Sequence, residues 1–97
     1  MKIVIAGAGE VGFHLAKLLS LESLEITLID INKDSLAYAE SHLDIRTIRG
    51  NCVSISILNE ADIGNADLLI AVTSHETTNI TVASLSKLSL IHISEPT

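Results

Sequence analysis

Apolar positions in this chain come in short dense blocks separated by segments of helical spacing. Residues 2–6 are almost purely apolar and empty into Gly7-Ala8-Gly9-Glu10-Val11-Gly12, after which residues 13–19 continue with helical periodicity: a strand, a glycine turn and a helix. A second apolar run, residues 24–29, ends at Asp30. Asn32 or Asp34 can then cap a helix carrying Leu36, Ala39 and Leu43. Residues 44–49 alternate less cleanly and stop at the turn signal Gly50-Asn51, which predicts a third, edge strand. Ile55, Leu58 and Ala61 place a helix over residues 54–63. Residues 68–72 form a continuous apolar run that reads as a fully buried parallel strand, closed by Thr73-Ser74. A further helix is expected over residues 75–88, with Ile80, Ala83 and Leu88 on one face.

Strands alternating with helices imply a parallel sheet with right-handed crossovers. The expected fold is therefore α/β, a Rossmann-like doubly wound parallel sheet in strand order 3-2-1-4. Ligand would sit at the carboxyl ends of strands one and four. A complete dinucleotide fold takes fifth and sixth strands, so the sheet is expected to be incomplete at its C-terminus, with one domain over residues 1–88. Residues 89–97 read as a tail that resembles a translated sequencing adapter, and His92 within it is given no role.

Size and composition narrow the function classes. A chain of 97 residues makes one small domain. Hydrophobic residues are 47% of it, yet no apolar run approaches the roughly 18–20 residues that cross a bilayer. Direct membrane insertion is thus not expected. The start at Met1-Lys2 shows neither signal nor transit pattern, and the single cysteine, Cys52, lacks any pairing or zinc spacing. Both point to a cytoplasmic location. Net charge is −6 and the 6 Lys and Arg residues are scattered, so nucleic acid is not an expected partner. With only Phe13 and Tyr38 as aromatics, a nucleobase would have to be held by aliphatic side chains and backbone.

The three glycines occupy G-x-G-x-x-G positions, each with its own reason: Gly7 for the tight turn, Gly9 for close approach of a pyrophosphate, Gly12 for helix–strand packing. The helix that follows turns its free N–H groups and positive dipole end toward an anion. Asp30 lies about 20 residues on, where a ribose-binding acid belongs. Its carboxylate would also repel a 2′-phosphate, and Ile31 and Asn32 supply no arginine to offset that, which favours NAD(H), ATP or ADP over NADP. Glu10 sits in the phosphate loop, but its side chain can point outward while its N–H points in. Gly50-Asn51 is either a plain turn or the donor of an amide to the adenine edge.

No acid–base constellation emerges. His14, His42 and His75 lack a metal spacing and read as surface or helix-end residues, and no serine stands in a nucleophile elbow.

The glycine loop, Leu28-Ile29-Asp30, Gly50-Asn51-Cys52, the strand Ala66-Asp67-Leu68-Leu69-Ile70-Ala71-Val72-Thr73 and Glu76-Thr77-Thr78-Asn79 together resemble the N-terminal nucleotide-binding domain of the Trk potassium-uptake regulatory proteins, the RCK or KTN family. The likeness covers residues 2–87. It implies a cytoplasmic regulator, not an enzyme, that sits on the inner face of the plasma membrane, docks on a membrane potassium channel or transporter and responds to NAD(H) or ATP/ADP. It also implies homo-oligomers, and a second ligand-binding lobe that the sequence does not contain. By the same resemblance, Gly7, Gly9 and the backbone of Glu10 and Val11 hold phosphates beside Gly12, Asp30 holds the ribose, Asn51 and Cys52 the adenine region, and Thr73 the inner face of the crevice. Where Asn51 stands the family often has Asp. The alternative reading is the cofactor-binding fragment of an NAD-dependent oxidoreductase whose chemistry lies in a further domain.

Overall fold

A computed structural model of the chain describes residues 1–73. The helix expected over residues 75–88 and the tail 89–97 lie outside them. The elements run β1 (Lys2–Ala6), α1 (Glu10–Ser20), β2 (Glu25–Asp30), α2 (Lys33–His42), β3 (Arg46–Arg49), α3 (Ile55–Glu60), a single 3-10 turn (Ile63–Asn65) and β4 (Leu68–Ala71). The four strands are parallel in the order β3-β2-β1-β4, the order expected from the alternation of strands and helices.

Period-two alternation along β1 divides the core between the two faces of the sheet. Ile3 and Ile5 pack with Ile26 and Leu28 against Ala16 of α1 and Leu36 and Ala39 of α2. Val4 and Ala6 pack with Ile29 and Ile48 against Leu58, Ala61 and Ile63. Helices thus cover both faces, which makes the sheet doubly wound. Ile3, Ile5, Leu28, Ile29, Leu58 and Ile63 are fully buried, each side chain contributing about 1.5–3 kcal/mol relative to exposure.

Three local expectations are revised. The helix over residues 54–63 stops at Glu60, because Asp62 takes a left-handed conformation (φ 60°) that no helix can continue through, and the chain restarts as the 3-10 turn. Strand β4 is only partly buried, with Leu68 46% exposed, because among the described residues it pairs with β1 alone. Helix α1 begins at Glu10, three residues before Phe13, so the second half of the glycine motif is already helical. Of the two candidate caps for α2, it is Asn32 that acts: its side chain accepts from the N–H groups of Asp34 and Ser35.

Candidate functional site

The loops leaving β1, β2 and β3 meet the end of β4 around a cavity of about 330 Å³ at the carboxyl edge of the sheet. It brings together Gly7, Gly9, Asp30, Asn51, Cys52 and Thr73, residues that the sequence separates by as many as 66 positions. Ile29, Ile31, Gly50 and Val72 complete its wall. Ile31 is 69% exposed despite being aliphatic, so the rim next to Asp30 offers an apolar surface to solvent.

The glycine loop is shaped by steric necessity at two positions. Gly7 has φ +119°, and a Cβ there would come within 2.9 Å of the Val72 carbonyl group. A Cβ on Gly12 would overlap the Gly7 carbonyl oxygen, so only glycine lets α1 lie this close to the turn. At Gly9 a Cβ would meet no heavy atom of the described residues within 4 Å, its chain neighbours aside. Among the described residues the space in front of Gly9 is open, and their packing gives no reason for glycine at this position. Gly9 is also the N-cap of α1 and has no side chain to cap it. Among the described residues no side chain caps the first turn of this 11-residue helix, which presents its orphan N–H groups and partial positive charge with Glu10 as the acid in that turn.

Asp30 ends β2 and ties the loops together. Its Oδ2 accepts from the Ala8 N–H at 2.6 Å, its Oδ1 from the Asn32 N–H at 2.8 Å, and its carbonyl oxygen from the Gly50 N–H at 3.0 Å. Asn51 shapes its own turn: its Oδ1 accepts from Val53 N–H and its carbonyl from Ser54 N–H. Cys52 is buried, and burial pushes its thiol pKa above the ordinary value, with the Asp30 carboxylate adding to the rise. Both effects favour the protonated thiol over the nucleophilic thiolate.

Not every residue anticipated for the site lines this cavity. Val11, 60% exposed, and the buried Gly12 lie in α1 and line neither cavity. Glu10 faces a separate groove of about 600 Å³ between α1 and α2, bordered by Ala8, Gly9, Phe13, Lys17 and Tyr38 among others. That groove carries an aromatic cluster the sequence pattern does not reveal. The rings of Tyr38 and His42 stack at 4.1 Å, and Phe13 lies 5.1 Å from Tyr38 and 5.9 Å from His14. These residues sit on two helices, and only the packing of α1 beside α2 joins them. Both described histidines also hydrogen-bond a carbonyl one turn back: His14 Nδ1 to Glu10 and His42 Nδ1 to Tyr38.

One expectation is corrected. Ile31 and Asn32, the sequence neighbours of Asp30, supply no arginine, but the fold brings one in from β3. Arg49 is paired in register with Asp30, and its Nε donates to the Ile31 carbonyl at 3.4 Å. Cation and carboxylate share this edge because parallel pairing of β2 and β3 ends both strands together.

Among the described residues no group of three His, Cys, Asp or Glu side chains is placed to hold a metal ion, and no helix is long and apolar enough to cross a membrane.

Residues 3–93 match the family model of the TrkA-N domain. The chain is 38% identical over 86 residues to the Trk system potassium uptake protein TrkA of Vibrio alginolyticus, an alignment covering 89% of this chain and 19% of that protein. It is 42% identical over 88 residues to the Trk system potassium uptake protein trkA homolog 1 of Methanosarcina mazei, covering 91% and 21%. The chain therefore spans about a fifth of the length of the curated relatives it matches. Among solved structures, the Shewanella denitrificans Kef CTD in its AMP-bound form superposes with a TM-score of 0.77 at 20% identity, over 91% of this chain and 52% of that one. The PbgP3 protein of Burkholderia pseudomallei shares the fold more loosely, with a TM-score of 0.63 at 17% identity over 95% and 31%. With a family model spanning nearly the whole chain and a parallel 3-2-1-4 sheet opening on a glycine loop, this protein belongs to the TrkA-N domain family.

Proposed function

We propose that the cavity at the carboxyl edge binds an adenine nucleotide, NAD(H) or ATP/ADP, and that this binding regulates a potassium uptake system. The observation that carries the reading is Gly9: an uncapped helix N-terminus stands behind an open space beside a 330 Å³ cavity that also holds a carboxylate. Anions are stabilised at such a helix end by free N–H groups and dipole together. Phosphates would lie over Gly7, Gly9 and the N–H groups of Glu10 and Val11, with Gly12 allowing α1 its close seat. Asp30 would accept from ribose hydroxyls, Asn51 and Cys52 would border the base, and Thr73 would close the inner face. The AMP bound by the Kef CTD, which shares this fold, supports an adenine nucleotide as the ligand class.

The intact protein would be a cytoplasmic regulatory subunit, a homo-oligomer held at the inner face of the plasma membrane by a potassium transporter or channel, without turnover of its own. The names of the Trk relatives support this partner class. Membership in the TrkA-N family weighs against the oxidoreductase alternative. A nucleotide that binds two arrangements of such an assembly unequally shifts their populations by no more than that difference in affinity. A chimera tests the regulatory reading: residues 3–93 replace the matching segment of the Vibrio alginolyticus relative in cells lacking their own Trk regulator. Growth at low potassium should be restored, and lost again with Gly9→Val. A chimera that accumulates normally yet gives no growth, or one that Gly9→Val leaves fully active, would contradict it.

A further inference from the structure

In a regular parallel strand, successive N–H groups point to opposite sides. Beyond β1 this alternation fails. The N–H groups of Gly7 and Ala8 are consecutive, yet both are directed at β2: Gly7 donates to the Ile29 carbonyl at 2.8 Å and Ala8 to the Asp30 carboxylate at 2.6 Å. The positive φ of Gly7 makes this turn possible. Ala8 is 5% exposed, so its N–H needs a protein acceptor, and among the described residues no backbone carbonyl supplies one. The acceptor is the side chain of the last residue of β2. Asp30 reaches the loop after β1, the start of α2 through Asn32, and the turn after β3 through Gly50, so it joins three of the loops that wall the cavity.

We propose that Asp30 is the positioning residue of the glycine loop: through the Ala8 N–H it sets the phosphate cradle at Gly9 before any ribose arrives. The phosphate part of this inference rests on the nucleotide reading above. An ionised carboxylate has about four acceptor sites, of which the two N–H groups occupy two, so a ribose hydroxyl can be accepted without releasing the loop. A residue that met only ribose would matter only to ligands that have one. A residue that positions the loop matters also to a phosphate ligand with no sugar.

Two measurements on the 97-residue chain test this. The first is amide hydrogen exchange by NMR without ligand. Asp30→Ala should speed exchange at Ala8 roughly tenfold or more, the size of one charge-assisted hydrogen bond, while the amides of Val4 and Ile5 stay protected. Asp30→Asn, which keeps one acceptor oxygen, should exchange more slowly at Ala8 than Asp30→Ala. Unchanged Ala8 exchange in Asp30→Ala, or equal rates in the two variants, would overturn the proposal. The second measurement compares inorganic pyrophosphate with ADP by calorimetry. Asp30→Ala should weaken pyrophosphate as well as ADP, and ADP by the larger factor because it also loses the ribose contact, whereas loss of ADP affinity with pyrophosphate unchanged would assign Asp30 to the ribose alone and overturn the proposal. If Asp30→Ala does not fold, Asp30→Asn serves in the second comparison. If the wild-type chain binds neither ligand, the nucleotide reading fails, and Ala8 exchange still decides the role of Asp30 in the loop.

Discussion

Arg49 stands opposite Asp30 in the β2–β3 ladder, with its Nε 3.4 Å from the carbonyl oxygen of Ile31, the residue that follows Asp30. A carboxylate alone at the end of β2 would select strongly against a 2′-phosphate. With the ribose at Asp30, an exposed guanidinium on the neighbouring strand end would offset part of that repulsion, by an amount typical of solvent-screened pairs. NADH should still bind more tightly than NADPH. Arg49→Ala should widen the preference by about two- to fivefold, mainly by weakening NADPH, and the widening should shrink at high salt. Parallel titrations of the two dinucleotides at two salt concentrations measure it, and an unchanged ratio in Arg49→Ala would place the guanidinium out of reach of the ribose.

Gly9 and Gly12 should separate binding from stability. A Cβ at Gly9 enters open space at ordinary backbone angles (φ −70°), so Gly9→Val should keep the melting midpoint within a few degrees of wild type while removing nucleotide affinity. A Cβ at Gly12 overlaps the Gly7 carbonyl oxygen, so Gly12→Ala should destabilise the fold by about 1–3 kcal/mol or more through forced backbone shifts. Thermal unfolding followed by circular dichroism distinguishes the two.

At the far edge of the sheet, Lys2 Nζ lies 2.5 Å from Asp62 Oδ2. Hydrogen bonds from Lys2 and then from Asn65 lower the Asp62 pKa from its ordinary 3.8, while the bond to Asp62 raises that of Lys2 from 10.5. A lowered carboxylate pKa contributes stability that is present above 3.8 and is lost as pH falls through the lower folded value. A raised lysine pKa contributes below 10.5 and is lost as pH rises through the higher folded value. Asp62→Asn, which tolerates the left-handed backbone, should therefore melt below wild type at neutral pH and converge with it in acid. A gap that stays constant down to pH well below 3.8 would show that the ion pair is not its cause.

Cys52 provides a reporter inside the cavity. Its thiol is buried and its pKa raised, so alkylation by iodoacetamide should be slow at neutral pH and still accelerating at pH 9.0, the ordinary midpoint of a free thiol. Saturating ADP or NADH should slow the reaction further. Alkylation unaffected by nucleotide would indicate that the base does not lie over Cys52.

The parallel sheet and its order were legible because β1, β2 and β4 are compact apolar blocks ending in a polar or glycine signal, as at Ala6 before Gly7 and Ile29 before Asp30, while β3, Arg-Thr-Ile-Arg, was marked mainly by the turn signal Gly50-Asn51 that follows it. The place of Asp30 at the cavity was legible for the same reason, since the end of a strand is also the edge of the sheet. What escaped depends on contacts between elements. Arg49 comes beside Asp30 through strand register, and Phe13 meets Tyr38 through helix packing, neither of which leaves a periodic trace. The left-handed turn at Asp62 is local, but Ile55, Leu58 and Ala61 keep helical spacing right up to it and hide the break. Strand β4 is as apolar as a buried strand yet only partly covered among the described residues, because hydrophobicity records what a strand can bury and not what lies upon it.

The most direct test of the central claim is calorimetric titration of ADP and NADH into the 97-residue chain, with Gly9→Val as the folded control. Nucleotide binding at the glycine loop predicts saturable heat at one site per chain for the wild type and none for Gly9→Val at the same concentrations. Absence of heat with both nucleotides at millimolar concentration, or equal heat from a correctly folded Gly9→Val, would contradict it.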